Sequence, residues 1–122
     1  MKNKHIRRIN LCLQYASRKS KVSKYKHCSM LIKGNRVLSI GINREKAGCL
    51  GDPIYEQKGW HSELDCLYKM SPECIKGSVL YVAGINNNNI LLSKPCIHCQ
   101  RYLEKFDLKA IYYSTPYGYC KL

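Results

Sequence analysis

The chain is organised around Ser93-Lys94-Pro95-Cys96-Ile97-His98-Cys99, read together with the earlier stretch Trp60-His61-Ser62-Glu63. Histidine and cysteine both bind zinc, and a catalytic zinc takes three protein ligands and leaves its fourth position for water. His61, Cys96 and Cys99 supply three such ligands. The two stretches therefore predict one Zn²⁺ per chain.

Both stretches lie at predicted helix starts. Apolar residues between 61 and 70 follow helical spacing, and Pro72 ends that pattern. Pro95 is well placed at the first position of a further helix, in which Cys96 and Cys99 face the same way. The partial positive charge of a helix N-terminus stabilises thiolates, which favours metal binding there.

Glu63, two residues after His61, is a candidate general acid-base group. Two thiolates cancel the formal charge of Zn²⁺, so the ion polarises its water less than it does in a three-histidine site. A base is then needed to take the proton of that water. A carboxylate can both accept this proton and return it to the reacting group.

A non-enzymatic alternative stands beside the catalytic interpretation. An isolated C-x-x-C is commonly a structural zinc pair or a redox motif. In this alternative the protein is a zinc-stabilised binding module, and Cys66 or Cys120 closes the coordination sphere as a fourth ligand. Glu63 argues against it, because a closed structural site has no use for a proton shuttle.

The rest of the pattern predicts a mixed sheet with helices on its faces. A stripe of apolar residues at helical spacing predicts a first helix over 3–17. Gly34-Asn35 is a favourable hairpin turn between two strand-like runs. The predicted strands are 27–33, 36–42, 78–84, 109–114 and a short antiparallel return over 119–122. The expected fold class is therefore α/β, with a mixed four- to five-stranded sheet.

Length and composition indicate a single domain over residues 1–122. A chain of 122 residues can bury a core without disulfides. Eight cysteines are present, but no apolar signal segment precedes them and their spacing is irregular. We therefore expect the cytoplasm or another reducing intracellular compartment, with most cysteines buried as small apolar residues. No apolar run approaches the length of a membrane span, so no membrane partner is expected.

The positive charge is concentrated at the start of the chain. Twelve Lys and Arg residues precede Glu45, the first acidic residue, whereas the remainder holds nine basic and eight acidic residues. This asymmetry predicts a basic face able to bind single-stranded nucleic acid. Codon bias is the competing explanation for the many lysines, although bias does not remove early acidic residues.

The motifs resemble those of the cytidine and deoxycytidylate deaminase superfamily. Its H-x-E and P-C-x-x-C signatures match His61-Ser62-Glu63 and Pro95-Cys96-Ile97-His98-Cys99, and the run 110–114 is similar to the family's strand after the cysteine helix. The resemblance covers nearly the whole chain. It implies a three-layer α/β/α sandwich, zinc on the histidine and the two cysteines, and proton shuttling by the glutamate.

The implied reaction removes ammonia from a cytosine-type base by hydrolysis and leaves uracil. The chain is most similar to short viral or microbial forms, which implies free (deoxy)cytidine or (d)CMP as the substrate. Deamination of cytosine or adenine in single-stranded DNA, RNA or tRNA is the alternative. Polynucleotide members usually carry a further helix and a parallel fifth strand, whereas the turn at 116–118 permits only a tight return. Small deaminases often assemble, so the resemblance also implies a homo-oligomer.

Three residues are candidate substrate contacts. Asn43 matches, by resemblance, the position of an asparagine that contacts the sugar or base in relatives. Tyr55 and Trp60 precede His61 in a long loop and could stack on a base, as aromatic residues do in single-strand sites. The alternatives are an ordinary polar residue leaving a strand, and aromatic residues that only pack.

Overall fold

The computed structural model describes residues 3–22, 24–44 and 61–122. Its elements are α1 (Lys4–Lys19), β1 (Lys26–Lys33), β2 (Arg36–Ile42), α2 (Ser62–Leu67), α3 (Pro72–Ile75), β3 (Val79–Asn86), β4 (Asn89–Leu91), α4 (Ile97–Leu103), β5 (Ala110–Thr115) and β6 (Gly118–Lys121). Every predicted helix and strand is present, and the short elements α3 and β4 are additional. Within this part of the chain, none of the helices combines the length and apolar character that crossing a membrane requires.

The strands form one mixed sheet in the order β2-β1-β3-β5-β6, and β4 pairs with the end of β3. Only the β3–β5 pair is parallel among the described pairs. The sheet therefore has six strands, and the strand beyond the predicted four or five is β4. The last strand returns antiparallel to β5, as the tight turn at 116–118 predicts.

Four consecutive asparagines, residues 86–89, make the β3–β4 hairpin. Asn86 pairs with Asn89 across the hairpin. Asn87 and Asn88 between them have φ angles of 49° and 71°. Asparagine tolerates this left-handed region better than most residues, so two asparagines can form a tight two-residue turn.

Helices cover both faces of the sheet, because the strands alternate their side chains between two cores. On one face α1 packs on the sheet, and the buried residues there are Ile9, Cys12, Leu13, Ala16, Cys28, Met30, Ile32, Tyr81 and Ala83. On the other face lie α2, α3 and α4, with a core of Leu31, Cys66, Leu67, Ile75, Leu80, Val82 and Leu103. The predicted three-layer α/β/α sandwich is confirmed.

A polar cluster fastens the start of α1 to the central strand. The buried Arg8 donates from Nη1 to the Tyr81 hydroxyl at 2.9 Å and from Nη2 to the Gly34 carbonyl at 2.8 Å. His5 Nδ1 lies 2.7 Å from the same hydroxyl, and the His5 ring stacks on Tyr112 at a centroid distance of 4.0 Å. Because arginine only donates, the Tyr81 hydrogen is available to Nδ1 of a neutral His5.

Helix α2 lies directly on β2 at Gly41. A Cβ atom at this position would stand 2.3 Å from the Cys66 backbone nitrogen and 2.5 Å from the Ser62 carbonyl oxygen. All six residues of α2 are buried. The absence of a side chain at Gly41 therefore allows the helix backbone to approach the sheet.

The His5 contact predicts that stability falls in mild acid. Burial lowers the pKa of His5 below its ordinary 6.5, and the charges of Lys4, Arg8 and Lys121 lower it further. The unfolded chain then binds a proton more readily than the folded one. The contribution of His5 to the free energy of unfolding is therefore fully present above pH 6.5 and declines as the pH falls below that value. Urea midpoints of zinc-free protein, measured from about pH 8 to about pH 5, test this.

His5→Gln is the matched variant for that titration. Burial also lowers the pKa of His27, so His27 contributes a decline of the same sign that remains in the variant. We expect a shallower pH dependence in His5→Gln than in the parent. Identical curves for the two proteins would show that His5 makes no contribution.

Gly41→Ala should destabilise the protein and displace α2. Overpacking costs about 1–3 kcal/mol, and here the added atom meets backbone that cannot change rotamer. We expect a loss at or above the upper end of that range, measured by urea unfolding, together with reduced zinc content. Ser39→Ala is the control, because it removes the 2.7 Å hydrogen bond from Ser39 Oγ to the Cys66 carbonyl and adds no atom. A Gly41→Ala protein as stable as Ser39→Ala would contradict the prediction.

Candidate metal and active site

The structure brings the three predicted zinc ligands together. His61 stands at the N-cap of α2 and makes no capping hydrogen bond with its side chain. Its Nδ1 lies 3.1 Å from Cys99 Sγ and 3.9 Å from Cys96 Sγ. The three ligand atoms all lie within 4.8 Å of one another.

These separations fit one zinc ion. Zinc binds histidine nitrogen at about 2.0–2.1 Å and cysteine sulfur at about 2.3 Å, so a tetrahedral site holds nitrogen and sulfur about 3.6 Å apart. The two observed distances, 3.1 and 3.9 Å, lie on either side of that value. One nitrogen and two sulfurs are also a ligand set that zinc prefers.

The described residues provide no fourth protein ligand. No further His, Cys, Asp or Glu in ranges 3–22, 24–44 and 61–122 joins the group. Cys66 is buried elsewhere, where its thiol donates to the Ser39 carbonyl and burial raises its pKa to about 12. Cys120 is exposed on β6. This arrangement favours an open coordination position over the closed site of the binding-module alternative.

The helix that carries the cysteine pair begins two residues later than predicted. Helix α4 begins at Ile97, not at Pro95, and Cys96 is its N-cap in an extended conformation. The reason is that the Cys96 carbonyl accepts the first helical hydrogen bond, from the Gln100 N–H at 2.8 Å. Pro95 instead offers its carbonyl to the Gln100 side chain at 2.8 Å. Cys96 and Cys99 remain three residues apart at the helix start.

Packing between α2 and α4 fixes the positions of the three ligand residues relative to one another. Leu64 and Cys99 are both buried and form a small core of their own, against which Cys96 and Tyr102 pack. Leu64 follows His61 by less than one helical turn, so this contact ties the start of α2 to the start of α4. The histidine and the cysteines are thereby fixed relative to each other.

Glu63 lies beside the ligand group in the first turn of α2. It is buried, with 6% of its surface exposed, and its Oε1 accepts a hydrogen bond from the Ser62 hydroxyl at 3.0 Å. Glu63 also lines the cavity next to the ligands. A carboxylate so placed can exchange a proton with a molecule in that cavity.

A cavity of about 400 Å³ opens beside these residues. It is lined by Val22, Tyr25, His27, Asn43, Arg44, His61, Ser62, Glu63, Val82, Leu92, Ser93, Lys94 and Cys96. The volume lies within the range of sites that hold one small ligand. The cavity wall comes from the connection between α1 and β1, strands β1 and β3, the residues after β2, the start of α2 and the segment before α4.

His27 is a cavity residue that the sequence analysis missed. Its ring lies over Gly84, where a Cβ atom would come within 2.5 Å of the ring. Burial lowers the His27 pKa and the charge of His61 lowers it further, whereas the charge of Glu63 opposes both. The glycine in a buried strand was the available signal, because glycine there often marks a close approach.

Asn43 lines the cavity, but its side chain is already bonded to protein. Oδ1 accepts from the Ser20 hydroxyl at 2.8 Å and from the His27 N–H at 2.9 Å, and Nδ2 donates to the Tyr25 carbonyl at 2.7 Å. An amide nitrogen carries two hydrogens, so one donor remains for a ligand. The other two predicted contacts, Tyr55 and Trp60, lie outside the described residues and stay predictions.

Two cations also line the cavity. Arg44 Nε lies 3.2 Å from Asp65 Oδ1, while Asp65 Oδ2 accepts from the Ile42 N–H at 3.0 Å. Lys94, inside the cysteine stretch, is exposed. Of the early basic residues, Arg18, Lys19, Lys21 and Lys24 are exposed. Binding of single-stranded nucleic acid and a homo-oligomer stay predictions.

Comparison with known proteins identifies the family. The zinc-binding region of cytidine and deoxycytidylate deaminases matches residues 2–115. The chain belongs to this deaminase family. No curated relative matches the chain.

Solved structures share the deaminase fold. The dCMP deaminase of cyanophage S-TIM5 in apo form has 21% identity and a TM-score of 0.58, over 94% of this chain and 86% of that one. The same enzyme in complex with dCMP and dUMP gives 23% identity and a TM-score of 0.54, over 93% and 82%. The cytidine deaminase of Mycobacterium leprae has 16% identity and a TM-score of 0.56, over 92% and 87%.

Family, fold and ligand group together define the class of enzyme. The protein is a zinc-dependent hydrolytic deaminase with a His/Cys/Cys group able to hold one zinc. The zinc-dependent enzyme predicted from the two motifs is confirmed at this level.

Zinc content tests the ligand assignment in this deaminase. Purified protein should carry about one Zn²⁺ per chain, and Cys96→Ser or Cys99→Ser should lose both metal and stability, because metal-binding free energy is partly folding free energy. Cys74→Ser is the matched control, since Cys74 is an exposed cysteine on α3. Elemental analysis should find zinc in the control alone. Full zinc occupancy in both cysteine-pair variants would exclude these residues as ligands.

Proposed function

We propose that this deaminase converts the cytosine of a free nucleoside monophosphate to uracil, with release of ammonia. The observation that carries the proposal is the composition of one cavity. His61, Glu63 and Cys96 line it together with the cations Arg44 and Lys94. A group for the chemistry and a group for a phosphate thus share one small-ligand site.

Charge favours a phosphate-bearing substrate over a nucleoside. A phosphate monoester is an anion with several strong acceptor oxygens, which arginine and lysine recognise. The S-TIM5 dCMP deaminase, whose fold this chain shares, has been solved with dCMP and dUMP. A cavity of about 400 Å³ suits a single nucleotide.

In the proposed mechanism His61, Cys96 and Cys99 hold the zinc and Glu63 moves the proton. When bound, zinc lowers the pKa of a water molecule, and because two thiolates offset the charge of the ion this water still needs a base. Glu63 accepts a proton from the attacking water and gives it to the ring nitrogen beside the attacked carbon. The second proton of that water passes to the exocyclic amine, which leaves as ammonia while the water oxygen becomes the uracil carbonyl oxygen.

Asn43 is proposed to orient the substrate with its remaining amide hydrogen. Its other hydrogen bonds fix the amide in place, because both lone pairs of Oδ1 and one Nδ2 hydrogen are engaged by protein. A donor held in this way loses little entropy on binding a sugar hydroxyl or a base oxygen.

A substrate panel with Glu63→Gln tests the proposal. Zinc-loaded protein is offered cytidine, deoxycytidine, CMP, dCMP, adenosine and single-stranded DNA, and ammonia release is followed. We expect the highest kcat/KM on a monophosphate. Glu63→Gln should keep its zinc and lose roughly 10²- to 10⁴-fold in kcat, the usual effect of losing an acid-base group. Near-normal turnover in this variant would exclude the mechanism.

Lys94→Gln tests phosphate recognition and Lys76→Gln is its control. Lys94 lines the cavity, whereas Lys76 is exposed and does not. Because Lys94 is exposed and its charge is screened by solvent, loss of its contact should raise KM for the monophosphate only about twofold to fivefold and leave the nucleoside unchanged. Lys94 is a better choice than Arg44 for this test, because Arg44 also pairs with Asp65.

Deamination of oligonucleotides but not of CMP or dCMP would favour the polynucleotide alternative.

A further inference from the structure

Two buried serines connect the sheet to Glu63. Ser29 lies on β1 with none of its surface exposed, and Ser62 opens α2 with 1% exposed. Their hydroxyl oxygens are 2.8 Å apart. The Ser62 hydroxyl also lies 3.0 Å from Glu63 Oε1. The three groups form one continuous hydrogen-bonded chain inside the protein.

The chemistry of the groups gives this chain a direction. An ionised carboxylate only accepts hydrogen bonds, so the Ser62 hydrogen points to Glu63 Oε1. The Ser62 oxygen then accepts the hydrogen of Ser29, which has the Ser62 oxygen as its partner. Each hydroxyl therefore donates toward the carboxylate. The Ser62 hydrogen is therefore the one donated to Glu63.

Filling space does not require these hydroxyls. Two alanines would occupy nearly the same volume and bring no polar atom into the core, and replacing both partners of a buried hydrogen bond by apolar groups can be nearly neutral for stability. Two hydroxyls that bond to each other use one of their two hydrogens, so the second hydrogen needs another acceptor. Here that acceptor is the Glu63 carboxylate beside the zinc ligands. The pair is thus arranged to hold a specific oxygen of Glu63.

We infer that Ser62 and Ser29 are positioning residues for the proton shuttle, an inference that rests on the proposed role of Glu63. The hydrogen bond from Ser62 occupies Oε1 and fixes the carboxylate plane. The proton taken from water is then carried on the other oxygen, Oε2. Ser29 acts through Ser62 by fixing the direction in which the Ser62 hydroxyl donates.

The test compares stability and turnover in the double variant Ser29→Ala/Ser62→Ala. We expect zinc content and KM close to those of the parent and only a small fall in the urea midpoint, because the two hydroxyls leave together and the Glu63 carboxylate still faces the cavity. The same protein should lose roughly 10-fold or more in kcat, as a hydrogen bond to a charged group is removed. A purely structural role would predict the opposite pattern, with altered stability and unchanged kcat.

The single variants test whether the serines act in series. Ser62→Ala should lose as much kcat as the double variant, and Ser29→Ala should lose less, because residues in one network are not additive. Ser62→Thr, which keeps the hydroxyl, should recover most of the kcat. Ser39→Ala is the matched control, since Ser39 also bonds α2 but through the Cys66 carbonyl. If the fold-losses in kcat of the two single variants multiply to give that of the double variant, a series arrangement is excluded.

A readout independent of turnover comes from the zinc-free protein. The carboxyl-carbon NMR resonance of Glu63 can be assigned by its absence in Glu63→Gln. Ser29→Ala/Ser62→Ala should shift this resonance, whereas Ser39→Ala should leave it in place. A Glu63 resonance that stays in place in the double variant would overturn the inference.

The outcomes separate this inference from the proposed function. If Glu63→Gln retains turnover, the proposed role of Glu63 is excluded, and the inference about the serines, which depends on it, is excluded as well. If Glu63→Gln loses turnover while the double serine variant keeps the kcat of Ser39→Ala, only the serine inference is overturned. A rise in KM at constant kcat in the double variant would also overturn it, because the serines would then act on substrate binding.

Discussion

Direct contact between the backbone of α2 and strand β2 at Gly41 is the constraint on which the site depends. A helix of six residues is too short to be stable by itself, because helix formation has a costly nucleus. Here the sheet provides the missing stabilisation. Since α2 follows His61 and carries Glu63, the contact at Gly41 also sets where a ligand and an acid-base group stand.

Burial of α2 brings polar side chains into the core, and the two neighbouring strands provide partners for them. Ser62 bonds Ser29 on β1, and Asp65 accepts the backbone N–H of Ile42 on β2. Within the described ranges, no buried side-chain nitrogen or oxygen lacks a partner. Unpaired groups at this depth would cost stability. The same two strands therefore pack the helix and orient its functional groups.

Local patterns were sufficient for most elements and for the residues of the His61, Cys96 and Cys99 group, but not for features made by distant contacts. The three- and four-residue periods located α1, α2 and α4, although a preference for proline at the first helical position placed the α4 start at Pro95. The elements α3 and β4 are too short to show a period. His27 and Ser29 come from β1, and no local pattern indicates that β1 passes beside α2. Gly84 explains the His27 placement only once the two strands are known to pair.

The pairing of the strands determines when the site can form during folding. The β1–β2 and β5–β6 hairpins close through tight turns, whereas β1–β3 and β3–β5 join segments far apart in the chain. Closing long loops costs entropy before any contact compensates for it, so these pairings are slow. Helix α2 rests on the first hairpin and α4 leads into the second, so β3 must join both before His61 meets the cysteines. In the folded protein the complete ligand set is therefore a product of the long-range strand pairings and not of the local hairpins.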